Sequence, residues 1–120
     1  MDKKQIAIQF AKSLNLLEIE KIILFGSVAR EDDDTNSDID ILIITNNKDE
    51  IEDDVSDKSF DFLLKTREYI SPMIISTEYY KKFKNFSFFK TVEEEGIQMD
   101  EKELLFSKSF EAIESSKKMH

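Results

Sequence analysis

The chain lacks, or nearly lacks, several residue types, and each shortage excludes a kind of chemistry. Its 120 residues contain no cysteine, so disulfide bonds and thiolate metal sites are excluded. The single histidine is the last residue, His120, which argues against histidine acid–base chemistry and against a zinc site built from several histidines. If the protein is a catalyst, carboxylates and hydroxyls must carry the chemistry.

Linker-like and membrane-like segments are also missing from the sequence. There are only two glycines and one proline, and no Gly/Ser/Pro-rich stretch divides the chain. Residues 1–120 are therefore predicted to form a single domain, with 101–120 as a helical tail. No apolar run approaches the ~20 residues that cross a bilayer, and the N-terminus does not resemble a signal peptide. We expect a soluble cytoplasmic protein with no membrane association.

Positive charge is in short supply. Lysine and arginine number 17 against 26 aspartates and glutamates, which gives a formal net charge of -9. Such a surface repels nucleic-acid phosphates, so a large nucleic-acid footprint is not expected. A small anionic ligand can still bind where a metal ion bridges it to carboxylates.

The hydrophobic pattern predicts an α/β fold with a small mixed sheet of about four strands and helices packed mainly on one face. Pro72 within the third predicted strand favours an edge position or a bulge for that strand. Asp2 and one of Asn46 or Asn47 are suited to cap the first two helices. Strands are predicted over 21–27, 38–44, 69–76 and 96–99, and helices over 2–17, 48–67, two short segments of 77–95, and the tail 101–118.

Ten phenylalanines raise the question of a stacking platform for nucleic-acid bases, because several of them lie at 83–89. The basic residues beside them are Lys81, Lys82, Lys84 and Lys90 and no larger basic patch, so packing within the core and between helices is the favoured interpretation. In the tail, Phe106, Phe110 and Ile113 form a helical stripe that suits either packing on the domain or contact with a partner or a second copy of the chain.

Candidate functional residues are concentrated in the stretch IILFGSVAREDDDTNSDIDILII, residues 22–44. Side chains alternate across a strand, so Asp38 and Asp40 point to one face, which Leu42 and Ile44 continue. Two neighbouring carboxylates repel each other unless a cation lies between them. Hard oxygen ligands suit Mg²⁺ or Mn²⁺, and magnesium commonly takes its other ligands from water and substrate phosphates.

The start of the same stretch is suited to bind phosphate. In a chain so poor in glycine, Gly26 at the end of a strand indicates a positive φ or a close backbone approach. Ser27 then offers a hydroxyl and a backbone N–H at a predicted helix N-terminus. Arg30, one turn later, has a planar guanidinium that can reach a triphosphate. The two ends of the stretch therefore predict two halves of one site.

FGSVAREDDDTNSDIDILI resembles the signature of the minimal nucleotidyltransferases of the DNA polymerase β superfamily, which consists of a strand, Gly-Ser, about ten residues and Asp-x-Asp. The resemblance extends more weakly through ISPMIIS and FFKTVEEEGI, to about residue 100. It implies a polymerase-β-like nucleotidyltransferase fold, with catalytic and metal-binding roles for Asp38 and Asp40. The positions that match the nucleotide-binding part of the motif are Gly26, Ser27, Arg30 and Ser37.

The resemblance also implies an activity and a partner. Members of this family are commonly paired with a helical HEPN-domain protein, as antitoxin and toxin. A metal-dependent transfer of AMP from ATP to a hydroxyl of the partner, in particular a tyrosine, is implied. The implied mechanism is two-metal phosphoryl transfer with Mg²⁺ or Mn²⁺.

One position departs from the superfamily pattern. A third carboxylate is expected on the third strand, where YISPMIIS places Ser71. Either Asp61 in SFDFLLK lies on a strand and supplies this carboxylate, or Asp61 lies on the helix 48–67 and faces solvent. The second alternative is favoured, and it leaves open a pseudoenzyme that binds nucleotide and partner more than it catalyses. The acceptor, the preferred nucleotide and the oligomeric state do not follow from the sequence.

Overall fold

The structure is a computed structural model that describes residues 2–14 and 16–99. A 3-10 turn at Leu16–Glu18 leads into the first strand. The helices are α1 Lys3–Ser13, α2 Gly26–Arg30, α3 Lys48–Thr66, α4 Thr77–Phe83 and α5 Ser87–Glu95, and the strands are β1 Lys21–Phe25, β2 Ile39–Thr45, β3 Ile70–Ser76 and β4 Ile97–Gln98.

The four strands form one mixed sheet in the order β3-β2-β1-β4. β1 pairs antiparallel with β2 and with β4, whereas β2 and β3 are parallel and are joined by α3. A parallel connection needs a crossover, and α3 provides it. β3 is an edge strand, as Pro72 predicted, because proline cannot donate a hydrogen bond to a further strand.

One side of the sheet, called here the closed face, is covered by the two long helices. Ile39, Ile41 and Ile43 of β2 are fully buried there against α1 and α3. Phe10 of α1 and Phe62 of α3 meet edge to face at a centroid distance of 5.8 Å. Burial of each such aliphatic side chain contributes about 1.5–3 kcal/mol, so this face holds most of the hydrophobic core.

The opposite side, called here the open face, is covered only in part by α4 and α5. Leu42 and Ile44 of β2 pack there with Ile23 of β1, as the alternation predicted. Tyr80 of α4 and Phe89 of α5 complete this smaller cluster. The two longer helices therefore lie on the closed face, and α5 reaches the Asp40 end of the open face through Phe88, whose ring meets that of Phe25 at 5.9 Å.

The sequence predicted most elements correctly and misplaced several boundaries. Asp2 caps α1 by accepting a hydrogen bond from the Gln5 amide at 2.8 Å, but α1 ends at Ser13 and the 3-10 turn follows. β1 ends at Phe25, two residues earlier than predicted, because the backbone turns at Gly26. Asn47 is the N-cap of α3.

The predicted tail helix 101–118, with Phe106, Phe110 and Ile113, lies outside the described residues, as does His120. No helix of the described part of the chain is both long enough and apolar enough to cross a membrane.

Candidate active site

Gly26 and Asp40 are in direct contact, although they are far apart in the sequence. Phe25 is the partner of Asp40 in the antiparallel register, and Gly26 follows with a φ of 75°. A Cβ atom on Gly26 would lie 2.4 Å from Asp40 Oδ2, which is closer than non-bonded atoms approach. The absence of a side chain at Gly26 therefore makes room for the Asp40 carboxylate. Both sequence predictions for this glycine, a positive φ and a close approach, are confirmed.

Asp38 and Asp40 meet at the start of β2 on the open face. Asp38 is exposed and directly precedes the strand, whereas Asp40 is half-buried on it. Burial raises the pKa of Asp40, and the negative charge of Asp38 raises it further, while the positive charge of Arg30 lowers it. Asp38 is therefore close enough to destabilise the charge of Asp40, which is the situation that a bound cation relieves.

Ser27 lies in the first turn of α2, the short helix that begins at Gly26. The first backbone N–H groups of a helix have no acceptor within it, so they are available to an anion. Glu31 ends α2 in the left-handed conformation, with a φ of 64°. This short helix places the Ser27 hydroxyl and amide beside the strand end that contacts Asp40.

Arg30 extends from the end of α2 and is held by two carboxylates. Its Nε lies 3.2 Å from Asp32 Oδ2, and a terminal nitrogen lies 3.6 Å from Glu95 Oε2 at the end of α5. The hydrogen bond to Asp32 is the main reason that the pKa of Arg30 is raised. The guanidinium is half-exposed, so a phosphate group would compete with Asp32 for it.

Ser37 stabilises the acidic loop between α2 and β2. Its hydroxyl accepts a hydrogen bond from the Asp34 amide at 3.0 Å, and Asp34 Oδ1 accepts one from the Asn36 amide at 2.8 Å. Lys3 of α1 donates to the carbonyl oxygens of Asp34 and Ser37, both at 2.7 Å. The loop is thus fixed on α1 immediately before Asp38. In the structure, the Ser37 hydroxyl makes its hydrogen bond within the loop.

Ser71 occupies the position beside Asp40 on β3, because these two residues are partners in the parallel register. Asp61 lies on α3, is exposed, and belongs to the helix that covers the closed face. The interpretation of Asp61 as a strand residue is therefore wrong, and the structure does not bring Asp61 to Asp40. The apolar neighbours of Asp61 look strand-like but are helical, and Phe62 packs on the closed-face core. Among the described residues, no group of three or more acidic or histidine side chains could hold a metal ion.

An aromatic groove, which the sequence did not predict as a site, lies on the open face beside β3. Its volume is about 510 Å³. Lys48 and Ser76 line one end of it. The signal in the sequence is the cluster of phenylalanines at 83–89, for which the pattern alone favours core packing. The groove residues are Met73, Ile75, Tyr79, Phe83, Phe86, Phe88 and Phe89.

Comparison with known proteins agrees with the geometry of this site. A family model described as a nucleotidyltransferase domain matches residues 5–108, which is most of the chain and includes every residue of the Gly26–Asp40 site. The chain belongs to this nucleotidyltransferase family. It is a transferase with the polymerase-β-like fold that the resemblance implied, and its Gly-Ser and Asp-x-Asp elements lie in contact.

A relative from Methanocaldococcus jannaschii carries the name "Putative protein adenylyltransferase". It is 46% identical over 78 residues, an alignment that covers 65% of this chain and 75% of the relative.

Two solved structures resemble this chain. One, described as "Crystal structure of the toxin-antitoxin with AMP-PNP", superposes with a TM-score of 0.53 at 12% identity, covering 99% of this chain and 94% of that one. Another, described as "Crystal structure of a putative nucleotidyltransferase from Sulfolobus solfataricus", has a TM-score of 0.39 at 21% identity, covering 79% of this chain and 73% of that chain. At these identities the first structure supports the fold alone.

Proposed function

We propose that this nucleotidyltransferase moves AMP from ATP to a hydroxyl group on a partner protein. The observation that carries the proposal is the contact between Gly26 and Asp40, because it joins the phosphate-binding turn to the metal-binding carboxylates. Support for the nucleotide and the acceptor comes from the relative, which is named a protein adenylyltransferase, and from the toxin–antitoxin structure, which is described with AMP-PNP.

Asp38 and Asp40 suit a divalent cation. Both offer hard oxygen atoms, and the pKa of Asp40, raised first by burial and then by the charge of Asp38, reflects an environment that a cation between them would relieve. Mg²⁺ or Mn²⁺ held there would neutralise charge on the triphosphate.

The residues of the chain would then hold and orient ATP. The first-turn amides of α2 and the Ser27 hydroxyl bind the terminal phosphates, and Arg30 adds positive charge beside them. The acceptor oxygen forms a bond to the α-phosphorus while the bond from that phosphorus to the bridging oxygen breaks. Pyrophosphate leaves with the electron pair, and the acceptor proton passes to solvent. Positioning and charge neutralisation supply most of the acceleration.

The proposed acceptor protein is a helical HEPN-domain toxin, which the chain would modify as its antitoxin. The structural neighbour described as a toxin–antitoxin agrees with such a pairing. The family resemblance makes a tyrosine hydroxyl of the partner the first acceptor to examine.

A second candidate function is a binding module that neutralises its partner by complex formation with little transfer. The observation in its favour is Ser71, which lies beside Asp40 where a third carboxylate would serve a second metal ion. A serine hydroxyl cannot supply that negative charge. The two candidates differ in whether neutralisation of the partner needs Asp38 and Asp40.

The test is a transfer assay with labelled ATP and Mg²⁺ or Mn²⁺, with and without a HEPN partner, followed by mass spectrometry for added AMP. The Asp38→Asn/Asp40→Asn double variant should lose transfer by at least about 10³-fold and keep partner binding. Asp53→Asn/Asp57→Asn is the matched control, since it removes the same charge from the exposed side of α3. Transfer by the wild type and the control, but not by the double variant, supports the enzyme. No transfer by the wild-type protein, with equal partner binding by all three proteins, supports the binding module.

A further inference from the structure

The aromatic groove is an exposed apolar surface on an otherwise acidic protein. Phe86 and Phe88 expose 62% and 43% of their surface, and Tyr79 and Met73 expose 49% and 42%. Large apolar side chains are unfavourable in contact with water, and a bound partner would remove that contact. Four of them exposed around one groove therefore indicate a binding surface. Phe60 is equally exposed at 59% but lies on α3, outside the groove.

The groove begins close to the active site. Ser71 and Met73 point to the same face of β3, and Ser71 is the register partner of Asp40. Two residues of a strand span about 7 Å, so Met73 lies about that far from the strand position beside Asp40. The groove is also connected to the site through β1. Phe25 directly precedes Gly26, and its ring meets that of the groove residue Phe88 edge to face at 5.9 Å.

The order of the strands places the groove on the β3 side of the two aspartates. Gly26 and Ser27 follow β1, whereas the groove lies along β3, and β2 with its two aspartates lies between them. In phosphoryl transfer the attacking and leaving oxygens are roughly in line across the phosphorus. If pyrophosphate is held at the β1 side, as the proposed function requires, the acceptor would arrive from the β3 side, where the groove is.

The charge of the segment that carries α4 and the start of α5, which flank the groove, restricts its occupant. Residues 77–90 contain four lysines and one glutamate, although the whole chain has a net charge of -9. Lys82 lies over the ring of Phe83 at 5.5 Å, and Lys48, whose ammonium group also pairs with Glu52 at 3.9 Å, lines one end of the groove. Lys81, Lys84 and Lys90 make no ion pair within residues 2–14 and 16–99. A segment that is apolar where it enters the groove and acidic beside it complements both features.

We propose that the aromatic groove binds the acceptor protein through an apolar and acidic segment next to its modified hydroxyl. The assignment of the groove to the acceptor rests on the proposed function, because the in-line argument needs a transfer reaction. Protein is favoured over a nucleic-acid strand because the relative from Methanocaldococcus jannaschii is named as a protein adenylyltransferase.

The test measures binding of a fluorescein-labelled short peptide of glutamates, leucines and one tyrosine, and of a second peptide with lysines in place of the glutamates. Wild type, Phe86→Ala, Phe60→Ala and Asp38→Asn/Asp40→Asn are compared, and the affinity of each for a non-hydrolysable ATP analogue is measured in parallel. Phe86 and Phe60 are matched in residue type and exposure, so they separate the groove from general surface apolarity.

We expect the glutamate peptide to bind wild type and Phe60→Ala equally, and Phe86→Ala about tenfold more weakly. The double aspartate variant should bind it at least as tightly as wild type, because two negative charges near the groove are removed. The lysine peptide should bind none of them well. Nucleotide affinity of Phe86→Ala should stay at the wild-type value.

Three results would overturn the proposal. The first is absence of peptide binding, or equal losses in Phe86→Ala and Phe60→Ala. The second is a weaker nucleotide affinity in Phe86→Ala, which would assign the groove to the nucleobase. The third is tighter binding of single-stranded RNA than of the glutamate peptide. Peptide binding by the double aspartate variant measures docking independently of transfer. Failure of AMP transfer would therefore refute the proposed function without changing the docking result.

Discussion

The two faces of the sheet differ although the same strands form both. On the closed face, alternate residues of β2 are the fully buried Ile39, Ile41 and Ile43, and two long helices cover them. On the open face, the alternation gives Asp40, Leu42 and Ile44, and two short helices cover only the last two. The closed face supplies stability, and its completeness allows the open face to keep a half-buried carboxylate and an exposed aromatic groove.

The difference in role between the two faces has a physical reason. The carboxylate pair costs stability because its charge is partly desolvated. The groove of exposed rings costs stability because its apolar surface remains in contact with water. A domain of this size has only a modest margin of stability. Substitutions on the closed face should therefore mainly lower stability, whereas substitutions near Asp40 on the open face should mainly lower activity.

The largest effect is expected on the closed face. Ile41→Ala should lower the free energy of unfolding by about 3–4 kcal/mol, because it removes buried methyl groups and leaves a cavity between the sheet and the long helices. Ile75→Ala on the open face should cost less than about 2 kcal/mol, since Ile75 is half-buried. Urea unfolding of both variants gives the comparison. Equal losses would contradict the assignment of the main core to the closed face.

Gly26→Ala should separate activity from stability on the open face. The new Cβ would displace the Asp40 carboxylate, so transfer should fall about 10²-fold, while the strained left-handed backbone costs about 1–2 kcal/mol. The transfer assay and urea unfolding of the same variant measure the two effects separately.

Gly96→Ala is the control for Gly26→Ala. Its Cβ would meet the Val92 carbonyl oxygen at 2.4 Å and a methyl group of Ile23 at 2.5 Å. This variant should lose stability and keep the activity of its folded fraction. Full activity in Gly26→Ala would show that the contact with Asp40 does not matter for transfer.

Ser71→Asp should add a metal ligand to the open face. The new carboxylate would lie beside Asp40 in the parallel register, so a second Mn²⁺ should bind about tenfold more tightly in the presence of a non-hydrolysable ATP analogue. Electron paramagnetic resonance of Mn²⁺ measures both the number of ions and their coupling. Unchanged Mn²⁺ binding would mean that position 71 does not face the metal site.

The smallest expected effect concerns Tyr80, at the end of the open face away from Asp40. Burial, followed by the hydrogen bond to Glu93 and the charge of that carboxylate, raises the pKa of Tyr80 to about 12. The folded protein therefore holds this proton more tightly than the unfolded chain, in which a tyrosine has a pKa of about 10. Stability should fall as the pH rises from about 10 to about 12.

Spectrophotometric titration checks this prediction. Tyr80→Phe should remove the ionisation step near pH 12 and the fall in stability that accompanies it. Loss of the hydrogen bond to Glu93 should cost about 1 kcal/mol at neutral pH. A late step that persists in the variant would assign it to another tyrosine.

Much of the candidate site could be predicted because its arrangement depends on short-range pattern. The alternation in DIDILII requires Asp38, Asp40, Leu42 and Ile44 to share a face, whatever the rest of the chain does. The scarcity of glycine makes Gly26 conspicuous, and its position at a strand end suggests its positive φ. These inferences need no knowledge of which strands are neighbours.

Other features could not be predicted, since they depend on pairing between distant segments. Asp61 has strand-like neighbours, but the parallel β2–β3 pair needs a crossover helix, and α3 carries Asp61 to the closed face. The sequence at 83–89 does not show which of its phenylalanines is buried. Docking of α4 and α5 on Leu42 and Ile44 buries Phe89 and leaves Phe86 and Phe88 around the groove.

The sequence by itself determined the strands, the residues that share each face, and the Gly-Ser and Asp-x-Asp halves of the site, because backbone geometry fixes side-chain direction within a segment. The tertiary structure alone decided that Asp40 packs on Gly26, that Ser71 lies beside Asp40, and that the groove opens on the β3 side. Those arrangements follow from strand register and helix packing, whose free energy comes from contacts between residues far apart in the chain.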